Sequence, residues 1–411
     1  MINFSKFELD NGLRVVVHED VSTQMIAVNI LYNVGSKDES PQKTGFAHLF
    51  EHLMFGGSEF APDFDKPLQM VGGDSNAFTN NDMTNFYDIV PSDNVETVLW
   101  LESDRMRKLN INPQSLDTQQ KVVVEEFKET CLNQPYGDAW HHISNMAFKV
   151  HPYRWPTIGL EPKHIEDASL DDVQEFFKKY YNPNNAILVI AGNIDLAEAK
   201  QLTEKWFGEI PKGYRNNRAL PQEPKQNQLQ SKVIENGVPL NAIFMAFHMP
   251  GRMHKDYYVT DLISDILSNG RSSRLFVRLL KEQQLFSSID AFISGQIDPG
   301  LFVIEGRLME GISKEVANSA IWQELELLKK EGVQEIELTK LKNKVEASLT
   351  FSECSILNKA INLAYFELLG DAAYINKESE FYQNIEVGDI KRVANTIFQK
   401  ENCSELVYLK K

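Results

Sequence analysis

Short apolar blocks alternate along this chain with stretches of helical periodicity, the pattern of sheets packed against helices. Residues 13–18 read as a Val-rich strand after an Asp-Asn-Gly turn, and residues 25–32 as a second, buried strand. A polar loop follows over 35–44. From Thr44, read as an N-cap, apolar residues recur at helical spacing through Ala47, Phe50, Leu53 and Met54 until Gly56-Gly57 stops the run, which predicts a short, largely buried helix. Further helices are predicted over 92–109 and 116–132, the latter ending before Pro135. Residues 76–90 read as a strand pair around a polar turn, 186–191 as a strongly apolar strand and 196–207 as a helix.

Residues 211–230, rich in Pro, Asn, Gln and basic side chains, read as a linker. The pattern then restarts, with a strand at 242–248 and helices at 256–267 and 273–284. The segment Gln24-Met25-Ile26-Ala27-Val28-Asn29-Ile30 before Gly35-Ser36-Lys37-Asp38 resembles Asn241-Ala242-Ile243-Phe244-Met245-Ala246-Phe247 before Gly251, so two copies of one unit are expected. At 411 residues the chain is about twice the size of one compact domain. The expected division is 1–210, linker 211–230, and 231–411.

Charge narrows the partners. With 42 Lys+Arg against 58 Asp+Glu, the formal net charge of -16 repels phosphate backbones and argues against nucleic acid. Cys131, Cys354 and Cys403 are odd in number and widely spaced, so they read as reduced thiols. No apolar run is long enough to span a membrane, and the first residues lack a basic start followed by an apolar stretch. The expectation is a cytoplasmic protein, or a periplasmic one if a signal segment has been removed.

The sharpest chemical signal is His48-Leu49-Phe50-Glu51-His52. Histidines four apart on a helix lie one turn above each other and present both imidazoles to one metal ion, and Glu51 sits on nearly the same face. An imidazole pair selects zinc or a neighbouring transition metal, and a carboxylate beside it is what hydrolysis needs. The helix is otherwise apolar, where two histidines and a carboxylate are costly to bury without a shared partner. A catalytic site needs one more protein ligand, and the run Val122-Val123-Val124-Glu125-Glu126-Phe127-Lys128-Glu129 offers three carboxylates among which spacing alone does not choose.

The sequence resembles the pitrilysin and insulinase family of zinc peptidases, the inverzincins, through the whole motif His48 to His52. The resemblance extends from Gly45 to Ser58, through Asn76-Ala77-Phe78-Thr79, Glu102-Ser103-Asp104-Arg105-Met106, Val123-Val124-Glu125-Glu126 and His151-Pro152-Tyr153, to the run from Tyr181 to Asn193. The short members similar to the catalytic subunit of the mitochondrial processing peptidase and its bacterial relatives are the nearest subgroup. The resemblance implies an α+β fold of two similar domains, each a mainly antiparallel sheet with helices on one side. It implies one Zn2+ per chain held by His48, His52 and a downstream glutamate, Glu126 by alignment with Glu129 as second choice. Glu51 becomes the general base that activates a zinc-bound water in a metalloendopeptidase. Asn76, Ala77, Phe78 and Thr79 become the strand along which peptide or unfolded polypeptide is laid.

The chain departs from the family pattern in two places. Gln119 stands where many relatives have a glutamate, and Leu280 and Ser287 stand where relatives place an Arg and a Tyr. No second His-x-x-Glu-His follows the linker, so the second domain is expected to be non-catalytic. Within the family this combination implies a heterodimer whose zinc-less homologous subunit supplies the Arg/Tyr pair across a closed cavity. The alternative to a partner is that Arg271, Arg274 or Arg278 replaces the missing donor, although arginines on a helix more often make surface salt bridges. A non-catalytic assembly or peptide-binding subunit that keeps fold and zinc is the alternative.

Overall fold

A computed structural model describes residues 1–213 and 218–411, which form two compact units. One comprises Met1–Phe127, Trp155–Leu220 and Leu349–Lys377, the other Lys128–Arg154, Pro221–Ser348 and Glu378–Lys411. The linker segment 211–230 contains no helix or strand before Gln230 among the described residues, and 214–217 lie outside them.

The first unit is built on strands β1 (Ser5–Glu8), β2 (Arg14–Glu19), β3 (Met25–Tyr32), β4 (Asp74–Thr79), β5 (Thr84–Pro91) and β6 (Ala186–Gly192), in the order β1-β2-β6-β3-β5-β4. β2 and β6 run parallel, and every other neighbouring pair is antiparallel. Because side chains alternate along a strand, Val15, Val17, Ile26, Val28 and Ile30 turn to one face. They meet Leu49 and Phe50 of helix Phe46–Leu53, Val98 and Leu101 of helix Val95–Arg107, and Val123 of helix Pro113–Phe127. Val16, Ala27, Leu31, Ile187 and Val189 turn to the other face, against Ala360, Leu363 and Ala364 of helix Ile356–Leu368. The helices therefore cover both faces of this sheet rather than one, and that double cover is why β6 reads as an apolar run and β3 as one broken only by Asn29.

The second unit holds β7 (Gln230–Asn236), β8 (Ala242–His248), β9 (Phe286–Ile293), β10 (Leu301–Leu308) and β11 (Cys403–Lys410), in the order β7-β11-β8-β10-β9 with β7 and β11 parallel. Apart from β1, the two sheets have the same topology: first strand beside last in parallel, then second, fourth and third. β3 and β8, the segments whose sequences resemble each other, hold the same place in the two sheets. Ile143 and Ala147 of helix Ala139–Ala147 pack with Phe148 and Tyr153 on Phe244, Val303 and Tyr408. On the opposite side the Phe247 ring meets Trp322 and Phe398 at 5.7 and 5.2 Å.

Each sheet thus takes a covering helix from the other half of the sequence. Relative to a division at 1–210 and 231–411, the units exchange residues 128–154 and 349–377.

Candidate metal centre

Helix Phe46–Leu53 buries Phe46, Ala47, Leu49, Phe50 and Leu53. Phe50 lies 5.0 Å, ring to ring, from both Phe176 and Tyr181. With that face committed to the core, the 3.6-residue period leaves His48, Glu51 and His52 together on the other side. The helix starts one residue later than the pattern suggests. Its N-cap is Gly45, in the left-handed conformation at φ 88, where a Cβ would come within 2.8 Å of the Ile158 carbonyl oxygen. Thr44 is not the cap, because its hydroxyl is spent on the Leu160 amide and His164 Nδ1.

The first turn is capped instead by Glu39, from within the stretch read as a polar loop. Its Oε2 accepts the Gly45 N–H at 2.9 Å and its Oε1 the Ala47 N–H at 2.8 Å. Burial pushes the Glu39 carboxyl up, and the Ala47 and Gly45 amides oppose that shift. An acidic residue shortly before a helix start was the signal available in the sequence, but nothing local shows that residues 39 and 45–47 meet.

Glu126, at the end of helix Pro113–Phe127, completes the cluster. Leu116, Val123, Val124 and Phe127 bury one face of that helix, while Glu125 faces solvent and Glu126 is half-buried. Glu126 Oε2 lies 3.6 Å from His48 Nε2 and 3.4 Å from His52 Nε2. Among the described residues this is the one group of three His, Cys, Asp or Glu side chains whose ligand atoms all lie within 4.8 Å of one another. Donors bound at ordinary zinc distances around a tetrahedral ion stand about 3.3 Å apart, so the spacing and the donor set fit zinc. Burial holds His48 below the usual imidazole range, with Glu126 opposing, which favours the neutral ring a ligand needs. Hydrogen bonding to His52 holds Glu126 below the usual carboxylate range. Glu51 is half-buried and close enough for its charge to act on both His48 and Tyr181.

Glu129 is outside this group. It lies in the wide helical turn Lys128–Leu132 and accepts a hydrogen bond from Asn133 at 3.0 Å. Gln119 is half-buried two helical turns before Glu126, hence on the same face. Asn76, Ala77, Phe78 and Thr79 lie on β4, the last strand of the six-stranded sheet, which is paired on one side with β5. Leu280 lies in the helical segment Phe276–Glu282, and Ser287 on β9 donates to the Arg307 carbonyl. Arg274 pairs with Glu337 at 2.8 Å and Arg278 with Glu324 at 3.0 Å, while Arg271 is exposed.

The family description "Insulinase (Peptidase family M16)" matches residues 14–159, and "Peptidase M16 inactive domain" matches 167–345. The Zinc protease PqqE of Helicobacter pylori is 31% identical over 410 residues, spanning 98% of this chain and 91% of the relative. The chain belongs to the peptidase M16 family. The M16 fold extends over its whole length: the crystal structure of a protease from Helicobacter pylori matches with a TM-score of 0.93 at 29% identity, covering 100% of both chains. The mitochondrial-processing peptidase subunit beta of Blastocladiella emersonii is 23% identical over 403 residues, 94% of this chain and 84% of that one. His48, His52 and Glu126, together with Glu51, lie inside the match to residues 14–159. Among the described residues, no helix is long and apolar enough to cross a membrane.

Proposed function

We propose that this M16 chain is a zinc-dependent metalloendopeptidase, with His48, His52 and Glu126 as the ligands and Glu51 as the general base. The observation that carries the reading is the convergence of two imidazole nitrogens and one carboxylate oxygen within 4.8 Å, beside a glutamate on the same helix face. Zinc bound there would supply Lewis acidity toward a peptide carbonyl and would acidify a water in the open fourth position. Glu51 accepts the proton from the attacking water and passes it to the leaving amine, so no covalent acyl-enzyme forms. β4 has no strand beyond it among the described residues, so its outer edge offers backbone groups to an extended peptide once the Ala77 N–H is released from Asn76 Oδ1, with Asn76, Ala77, Phe78 and Thr79 selecting side chains. An unfolded or short peptide satisfies that demand for an extended strand.

The same reading makes the chain the zinc-bearing subunit of a heterodimer. Leu280 and Ser287 occupy the places of the Arg/Tyr pair, and Arg274 and Arg278 are held in ion pairs. A zinc-less homologous partner then supplies the missing donors, in keeping with the "subunit beta" in the name of the Blastocladiella relative. Metal content tests the ligand set. The wild-type chain is expected to hold one zinc, His48→Ala, His52→Ala and Glu126→Ala to lose it, and Glu129→Ala to keep it. Zinc retained by Glu126→Ala and lost by Glu129→Ala would move the third ligand.

A further inference from the structure

The loop that carries Glu39 ties the candidate metal helix to the hairpin of the edge strand. Ser36 and Lys37 donate their backbone amides to the Asn80 and Asn81 carbonyls, in the turn joining β4 to β5, at 3.1 and 3.0 Å. Lys37 also pairs with Asp82 at 2.6 Å, both nearly fully buried. The Trp155 indole N–H donates to the Ser36 carbonyl at 2.8 Å. From this anchored loop Glu39, 7% exposed, reaches the start of helix Phe46–Leu53 and takes its Gly45 and Ala47 amides on separate oxygens. Those amides are among the donors that a helix leaves without internal partners. Their capture fixes the first turn of the helix, up to the residue before His48, along its axis and in rotation about it.

We propose that Glu39 is a positioning residue for the metal centre: its two-oxygen grip sets where His48, Glu51 and His52 stand relative to Glu126 and to the β4 edge. This rests on the zinc peptidase reading and deepens it. Each carboxyl oxygen has a lone pair for its amide, whereas the NH2 of a glutamine has none and would face an N–H. Glu39→Gln therefore keeps the size of the side chain and breaks half of the grip. The β4 hairpin keeps its own ladder to β5 and its bonds to Ser36 and Lys37, none of which passes through Glu39.

The test compares the wild-type chain, Glu39→Gln and Leu363→Ala, the last being a destabilised control whose side chain lies under helix Ile356–Leu368, on the sheet face away from helix Phe46–Leu53. Three quantities are read: zinc affinity by chelator competition, kcat against KM for a quenched peptide with a zinc-less homologous subunit present, and thermal midpoint. Glu39→Gln should lose about ten-fold or more in zinc affinity and in kcat, the range for groups that orient ligands from behind, while KM stays within about two-fold. Leu363→Ala should lower the midpoint and leave zinc affinity near wild type. Wild-type zinc affinity in Glu39→Gln, or the same losses in Leu363→Ala, would overturn the inference. A wild-type chain that binds no zinc would overturn the underlying reading, and the inference with it.

Discussion

Asp88, on β5, is buried among Glu102, Arg105 and Asp74, and the first consequence is electrostatic. Burial pushes its carboxyl well above the usual range, Glu102 pushes it further and Arg105 opposes. Arg105 is itself committed to Glu102, with Nε to Oε2 at 2.8 Å, and lies over the rings of Phe64 and Phe86 at 4.6 and 4.4 Å. A carboxyl kept neutral by the fold binds a proton that the unfolded chain has released, so its contribution to stability falls as pH rises from the ordinary Asp range toward the raised folded value. Asparagine does not titrate. Asp88→Asn should therefore gain on the wild type between about pH 5 and about pH 8, read as urea midpoints at the two values. A difference that stays constant with pH would contradict the neutral-carboxyl account. Nothing in the sequence marks Asp88 as buried, since its neighbours at 102 and 105 come from a different element. Met106 and Phe127, by contrast, are buried on helices that turn apolar residues to the core, and Ser169 caps helix Leu170–Tyr180 through the Asp172 amide.

Elements are legible where one period dominates. β3 at Met25–Tyr32, β8 at Ala242–His248 and helix Leu196–Phe207 have the bounds that their patterns give. The motif helix was displaced because Gly45, in a left-handed conformation, took the cap position. The predicted helix 116–132 is helical from Pro113, and its last turn widens at Lys128–Leu132, at the point where the chain passes from one unit to the other. What periodicity does not encode is destination. Helix Ile356–Leu368 and helix Ala139–Ala147 each cover the sheet of the other half of the sequence, because those sheet faces are apolar and need a cover. Leu363, fully buried against the first sheet, carries this argument. Leu363→Ala should cost about 2–5 kcal/mol, the range for a truncated core leucine, read from chemical denaturation. A loss within about 0.5 kcal/mol, typical of a surface position, would mean that the helix does not seal that face.

At the scale of the molecule, the two sheets repeat one strand order, and among the described residues the candidate metal cluster lies in the first unit. The second sheet repeats the topology of the first, yet the sequence after the linker has no second His-x-x-Glu-His. Two of the three proposed ligands are legible in the sequence. The two histidines and Glu51 follow from helix spacing, whereas choosing Glu126 over Glu125 and Glu129 needed the family pattern, and the fold brings Glu126 to the histidines. The proposed heterodimer would be a property of two chains, and the proposal rests on Leu280 and Ser287 standing where the family resemblance implies an Arg and a Tyr.

The most direct test is cleavage of a quenched fluorescent peptide library by the wild-type chain and by Glu51→Gln. Each is assayed alone and with a zinc-less homologous subunit, with and without a chelator, and zinc is measured in every sample. The account predicts one zinc per chain in both proteins, with chelator-sensitive cleavage only by the wild type and only when the partner is present. Full activity from Glu51→Gln would contradict Glu51 as the base, and no cleavage by the zinc-loaded wild type with its partner would contradict the peptidase reading in favour of a binding subunit.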